Sequence, residues 1–441
     1  MAQKQSKWLG VIILVLFIII IELEPFYRKS LFDMTLEDVP RMQQKKRLQS
    51  FFEGVTLLGE GQVPMVGLVI VFNLTNKISA LYIVASFGFI VFLNASVMKS
   101  FYQEPRPYWV SEEIKPQKCR TDFGNPSGHS MTTSFFWVTL YLNYYFEVGQ
   151  KKKINTIFCT AYIVKMALTA GLIIFLMFMA LSRVFLGEHS YNQVFFGTQL
   201  GVFMAVALHY WIKPILKTLP KKLRNGMNSG GKNAFFISPI LIVLAVILFF
   251  ILPLSLAYGA WQYNKSLKID TSAWDQRQKV FCTSEQFLET TAKLNRGFMQ
   301  SGVIGQTAGA VLGQLVEMKF LNLNLSYYTW NKTQPAVTAI RIALSLIIFL
   351  LLGTPYFLVN TQLPEDQIYY LLGVKHFIPT FMQSFFLFAF ARIIFYKIKL
   401  INEMAIGRMF ENEEVDGDFG SITSKGSNSL EFMEIEMSQK I

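Results

Sequence analysis

SRVFLGEHSYNQ (182–193) closes one long apolar run and opens the next. Its polar centre reads as the turn of a helical hairpin, with Arg183 on one side and His189 on the other. The flanking runs, 160–181 and 190–212, each approach the roughly 20 apolar residues that an α-helix needs to cross a bilayer. The remaining runs fall at 8–24, 57–74, 79–98, 130–148, 234–258, 298–316, 336–358 and 372–395. Of the 441 residues, 52% are hydrophobic and 41 are Phe, and mean hydropathy is +0.36. A water-soluble domain could not hide that much apolar surface. The expected fold is an all-α polytopic membrane bundle with about 9–10 transmembrane helices.

The run 57–74 is interrupted by Glu53 just before it and by Glu60 and Pro64 within it. At the N-terminus, Glu22, Glu24 and Pro25 stand where a cleavable leader would carry small residues, which favours an uncleaved anchor. The formal charge of +12 fits basic residues at helix ends touching anionic lipid, and no basic stripe or RNA-binding signature points to nucleic acid. Cys119, Cys159 and Cys282 have neither zinc-site nor disulfide-framework spacing. The lack of an inverted repeat or evident paired intramembrane charges argues against a transporter.

Two further stretches, KSFYQEPRP (99–107) and NPSGHS (125–130), precede the opening one. In the second, Asn125 is a good helix cap and Pro126 suits a first turn, predicting a helix through 148. Free N–H groups there form an anion site, Gly128 permits close approach, and His129 projects beside it. In the first stretch, Pro107 keeps Arg106 extended, so that it can fold back over the site while Lys99 ends a helix. In the third, a helix opening at His189 puts Gln193 on the same face, able to hold one ring nitrogen and leave the other free to attack. Each stretch alone has an ordinary reading: a loop-to-helix junction, a snorkelling helix end, a polar hairpin. Together they supply three cations and two of the chain's four histidines.

Basic loops at 151–153 and 213–233 lie at the opposite helix ends from these stretches. The positive-inside rule puts those loops in the cytosol and the three stretches on a lumenal or extracellular face, although 24–50 and 260–297 would share that face while carrying several bases. Cys119 and Cys282, with a sequon at Asn264, would then meet oxidising surroundings where a disulfide between the two cysteines can form. From 397 the chain turns acidic and Ser-rich and reads as a disordered cytosolic tail.

KX6RP, PSGH and SRX5HX3Q together resemble the signature of the type 2 phosphatidate phosphatase (PAP2) superfamily, the acid phosphatase/vanadium haloperoxidase fold. The likeness covers about 50–212, leaving an N-terminal anchor and linker (1–49), additional helices (213–396) and the tail (397–441). It implies that Lys99, Arg106 and Arg183 hold phosphoryl oxygens, and that Ser127 and Gly128 stabilise the transition state. His189 would attack phosphorus and His129 would protonate the leaving oxygen. It also implies phosphoryl transfer without metal or other cofactor, and inhibition by vanadate. Where the pattern has Asp, this chain has Gln193, as glucose-6-phosphatases and dolichyl-pyrophosphate phosphatases also do. The RPYW run (106–109) and the later spans are similar to glucose-6-phosphatase, and the multi-span layout to sphingoid-base-phosphate phosphatases. The substrate implied is a phosphorylated lipid (phosphatidate, a sphingoid-base phosphate, or a polyprenyl phosphate or diphosphate). The alternatives are a sugar phosphate, or a non-catalytic lipid-binding homologue. The membrane is that of the endoplasmic reticulum, another endomembrane or the cell surface.

Overall fold

In hydrocarbon, backbone polar groups must be satisfied within the protein, which helices do segment by segment. Every regular element among the described residues is accordingly helical. The computed structural model describes residues 2–75, 77–149, 158–228, 243–267, 269–282, 293–320, 334–359 and 367–400, all within one compact unit, Met1–Ile401. The tail from 401 and the basic run 151–153 lie outside the described residues.

The long N-terminal helix α1 is Ala2–Gln43, followed by α2, Gln49–Leu57, and α3, Gln62–Leu74. Helix α4, Lys77–Phe92, continues through a π-helical stretch, Leu93–Met98, into the turn Lys99–Tyr102. A short α5, Pro107–Val110, lies in the loop that leads to α6, Gly128–Gly149. Helices α7, Phe158–Phe185, and α8, Tyr191–Asn228, form the predicted hairpin. The chain continues as α9, Leu252–Ser266, α10, Ser272–Phe281, α11, Lys293–Gln300, and α12, Ile304–Phe320. It ends with α13, Pro335–Leu352, α14, Ile378–Ala389, and α15, Ala391–Lys397.

Among the described residues, seven helices are long and apolar enough to cross a membrane, against the 9–10 spans expected from hydropathy. The difference has a physical source. Helix α3 is short, because the acid at Glu60 falls in a turn instead of a span. Helix α6 turns Ser130, Thr133, Ser134, Thr139 and Asn143 into the protein, so its composition is that of an interior helix. Helix α12 has 17 residues. Helix α8, expected to stop near 212, continues to Asn228. Two-thirds of the α4 span (67%) is buried, against 6% for α1, which makes α4 the central helix. An ion pair that hydropathy did not reveal, Lys77 with Glu317, is buried at the end of α4 remote from Lys99.

Around α4, α6 lies close against α8: a Cβ at Gly197 would fall 2.7 Å from the Ser127 carbonyl oxygen. Helix α1 lies on α8 through Phe17–Phe203 and Tyr27–Phe195 ring contacts. On the other side of α4, the Gln306 and Thr307 side chains of α12 donate to the Val84 and Ala85 carbonyls at 2.9 and 2.7 Å. Helix α12 then meets α14 along Gly305, Gly309 and Gly313. A Cβ at Gly305 would lie 2.6 Å from the Phe377 carbonyl oxygen, and one at Gly313 2.7 Å from that of Phe385. Such small-residue seams let backbones touch where lipid offers no hydrophobic drive for helix association.

Leucine at Gly309 would force these backbones apart. Gly309→Leu is therefore expected to destabilise the bundle by about 1–3 kcal/mol, read as a lower thermal midpoint in detergent. An unchanged midpoint would show that α12 and α14 do not touch through this seam.

Candidate active site

Three chain turns at one end of the bundle carry the site. The first begins where Gln103, in the left-handed region (φ 44°), ends the Lys99–Tyr102 turn. Arg106 is extended (φ −79°, ψ 154°) ahead of Pro107 at the first position of α5, as the proline requires. Its guanidinium folds back, donating from Nε to the Asp122 carbonyl oxygen and from Nη1 to that of Glu188, both at 2.8 Å. Nη1 also lies 3.2 Å from His189 Nε2. Lys99 and Arg106 both pair with the Asp122 carboxylate.

The second turn departs from expectation. Asn125 does not cap α6: the Asn125–Pro126 bond is cis and the helix begins at Gly128. The Asn125 amide turns away and donates to Glu24 Oε1 of α1 at 2.7 Å. Ser127 takes the capping place, with Ser130 N–H 3.4 Å from its Oγ. The Ser127 N–H donates to the Gln193 carbonyl oxygen at 3.0 Å and is not available to an anion. A helix opening at Gly128 leaves its own first-turn amides without intrahelical acceptors. Asn94, in the π-helical stretch before Lys99, presses on this turn, its Nδ2 3.4 Å from the Pro126 carbonyl oxygen.

The third turn also differs in detail. Helix α8 begins at Tyr191, so His189 lies in the loop and not in the helix. Its N–H donates to the Arg183 carbonyl oxygen at 3.2 Å, after Gly187 (φ 69°) reverses the chain. Even so, His189 Nδ1 lies 3.1 Å from Gln193 Oε1. That oxygen also accepts from Ser190 N–H, while Gln193 Nε2 donates to the Pro105 carbonyl oxygen at 2.8 Å. With the amide orientation fixed, Nδ1 must be the protonated nitrogen, and the Nε2 lone pair faces Arg106. Gly124 makes room, since a Cβ there would overlap the Gln193 amide.

Lys99, Arg106, Arg183, Ser127, His189 and Gln193 are all buried, and hydrogen bonds link the three turns. His129 stands at the rim. Its Nε2 lies 3.7 Å from Glu60 Oε1; Glu60 also pairs with Lys118 at 2.6 Å and approaches Arg120 at 3.8 Å. Arg183 pairs with Glu188 and meets Thr56 through Nη1. Among the described residues, Arg183 Nε and His129 Nε2 are buried atoms that find no hydrogen-bond partner, two polar groups suited to a bound anion.

Burial, followed by Arg106 and Lys99, holds the His189 imidazole well below its ordinary value, so it is neutral. Burial and Arg183 bring His129 down to about 3 with only protein charges around it, although Glu60 acts in the opposite sense. Burial works against ionised Asp122, but Lys99 and Arg106 outweigh it and keep its carboxyl well below the carboxylate range.

Sequence reasoning did not single out Asp122, Glu188, Glu60 or Arg120 for the site. Glu188 sits beside His189 in SRVFLGEHSYNQ, and in sequence Glu60 reads only as a break in an apolar run. A lone acid in an apolar run close to a cluster of cations was the available signal.

Cys119 and Cys282 form a disulfide that ties the loop before Asp122 to the end of α10. Asn264 of the sequon is 4% exposed and accepts from Gln103 Nε2, so the structure leaves little room for a glycan there.

Residues 77–217 match the family model described as the PAP2 superfamily. Among curated proteins, dolichyldiphosphatase 1 of Mus musculus is 31% identical over 123 residues, 28% of this chain and 49% of that protein. The match thus spans about half the length of the relative. No solved structure matches. All three motifs fall inside the segment that is similar to the PAP2 superfamily.

Proposed function

We propose that this protein is a membrane phosphatase releasing inorganic phosphate from lipid phosphates through a phosphohistidine. The observation that carries the reading is the orientation of His189, with Nδ1 held by Gln193 and Nε2 facing the site beside Arg106. In the reaction, Nε2 attacks phosphorus as the P–O bond to the leaving group breaks, and the departing oxygen takes a proton from His129. Water, deprotonated by His129, then cleaves the P–N bond, releasing phosphate and restoring His189. Lys99, Arg106, Arg183 and the first-turn amides of α6 would stabilise the equatorial oxygens without a metal ion. A phosphoryl dianion beside His129 would raise its pKa toward the range that a general acid needs.

Two observations favour a lipid. Beside Glu60, at the His129 rim, Leu57, Leu58, Val63 and Val66 are exposed, an apolar approach for a leaving group arriving from the bilayer. Tyr108 and Trp109 of the RPYW run are fully buried in a core cluster with Val39, Phe123 and Val194, so this run lines no open mouth for a sugar. The relative's printed name, a dolichyl diphosphatase, adds support for a polyprenyl substrate. The disulfide supports a site on the lumenal or extracellular side.

Purified protein is expected to release phosphate from phosphatidate, sphingoid-base phosphate or polyprenyl phosphates in preference to glucose 6-phosphate, with activity surviving a chelator. Preference for the sugar phosphate would reverse the substrate assignment, and a metal requirement would refute the mechanism. His189→Ala should abolish turnover and acid-labile phosphoryl labelling of the protein; undiminished labelling would remove His189 as nucleophile.

Gln193→Asp should retain or raise turnover, because a carboxylate also accepts from Nδ1 and better stabilises a cationic ring. Collapse of activity would show that the bond from Gln193 Nε2 to Pro105 is what matters.

Glu60→Gln removes the charge that favours protonated His129, leaving Arg183, Arg120, Lys118 and His189 facing it. The imidazolium pKa falls, so the basic limb of the kcat profile, which reports the substrate-bound enzyme, should move to lower pH. An unmoved limb would detach Glu60 from the acid.

A further inference from the structure

We propose that α1, read from sequence as a membrane anchor, is a template that positions all three catalytic turns. This rests on the phosphatase reading of the site. An anchor needs only apolar residues, yet α1 carries polar side chains whose partners are the backbone or side chains of the site loops. Glu24 is fully buried. Its Oε1 accepts from Asn125, two residues before Ser127, while Arg28 Nε donates to both carboxylate oxygens at 2.9 Å. The Arg28 guanidinium lies over the Tyr102 ring, 5.1 Å from its centroid, at the end of the turn that carries Lys99.

Farther along α1, Thr35 is also fully buried. Its Oγ1 accepts at 2.9 Å from the N–H of Tyr191, the first residue of the helix that carries Gln193. Gln43 Nε2 donates to the Lys115 and Phe185 carbonyls at 2.8 and 3.1 Å, and Gln43 Oε1 accepts from Lys115 N–H at 3.0 Å. Gln43 thereby clamps the strand of loop leading to Asp122 against the one leading to His189.

Glu24 and Thr35 are eleven residues apart, about three helical turns, and so share a face; from Glu24 to Gln43 the helix rises roughly 28 Å. From Glu24 through Thr35 to Gln43, α1 thus reaches the three turns in succession. A buried carboxylate is costly unless fully paired, and bulk anchoring provides no reason to keep one. Every contact partner in the loops lies within residues 77–217, whereas α1 lies outside that segment.

The test uses the full chain in lipid nanodiscs, with the best lipid phosphate as probe. Glu24→Leu, Thr35→Val and Gln43→Leu should each lower kcat by about tenfold or more with KM within about threefold, since small misplacements of reacting groups cost rate. Glu24→Gln, which keeps an acceptor for Asn125, should recover most of the loss. Leucine at residues 11–16, 18 and 19, with Phe17 retained, should leave kcat unchanged.

Hydrogen exchange should quicken at 121–130 and 186–191 in the Leu and Val variants while α12 and α14 stay protected. Wild-type kcat in those variants, or exchange that quickens in α12 and α14 as well, would overturn the template role. If the wild type releases no phosphate from any probe while the variants still loosen the loops, the phosphatase reading fails and the positioning by α1 stands.

Discussion

The site depends on pairing buried cations with carboxylates. Lys99, Arg106 and Arg183 are each at most 6% exposed, and three such charges gathered without partners would repel one another and lose most of their hydration. Asp122 between Lys99 and Arg106, and Glu188 on Arg183, make the arrangement tolerable. The same carboxylates hold the guanidinium planes in place before any substrate arrives. A preorganised cation array of this kind need not reorganise when charge develops on a phosphoryl group, which is where electrostatic catalysis gains its advantage. The acids would also compete with a phosphoryl group for the same donors, so such an array balances rigidity against anion affinity.

Gln193 shows how a neutral side chain can replace a carboxylate as the partner of a histidine. A carboxylate accepts on both oxygens, whereas an amide accepts on one atom and donates on the other. Here the difference is put to use. The oxygen takes Ser190 N–H and His189 Nδ1, and the nitrogen binds Pro105, the residue before Arg106. The amide therefore joins the turn bearing His189 to the turn bearing the guanidinium that faces it, a link that an acceptor-only group cannot make.

The helical class and the three motifs were legible in the sequence because apolar length and local residue spacing both act within short windows. The extended backbone of Arg106 could be read from Pro107 alone. What escaped was set by tertiary partners. Asn125 looked like a cap, but its amide is drawn to Glu24, 101 residues earlier in the chain. His189 was placed in the helix because periodicity cannot say on which side of Tyr191 a helix starts. Helix α6 was counted as an ordinary span because hydropathy averages over its faces, whereas its Ser and Thr residues line the interior. The acids around the cations and His129, Glu60, Asp122 and Glu188, come from three separate places in the chain, and no local pattern pairs Glu60 with His129.

The segment matching the PAP2 superfamily is also not the whole of the site's support. From the downstream region, Gln278 donates to the Arg120 carbonyl at 2.8 Å and Arg296 to Thr121 Oγ1 at 2.9 Å. Trp274 lies against Trp109, and the disulfide ties the same loop to the end of α10. These contacts fall on the stretch that ends in Asp122, so α10 and α11 fix the carboxylate on which Lys99 and Arg106 depend. Helix α1 reaches all three turns from the opposite end of the chain. A loop that must hold buried charges in register gains more from rigid neighbours than from its own sequence, and this chain supplies those neighbours both before and after the segment that carries the chemistry.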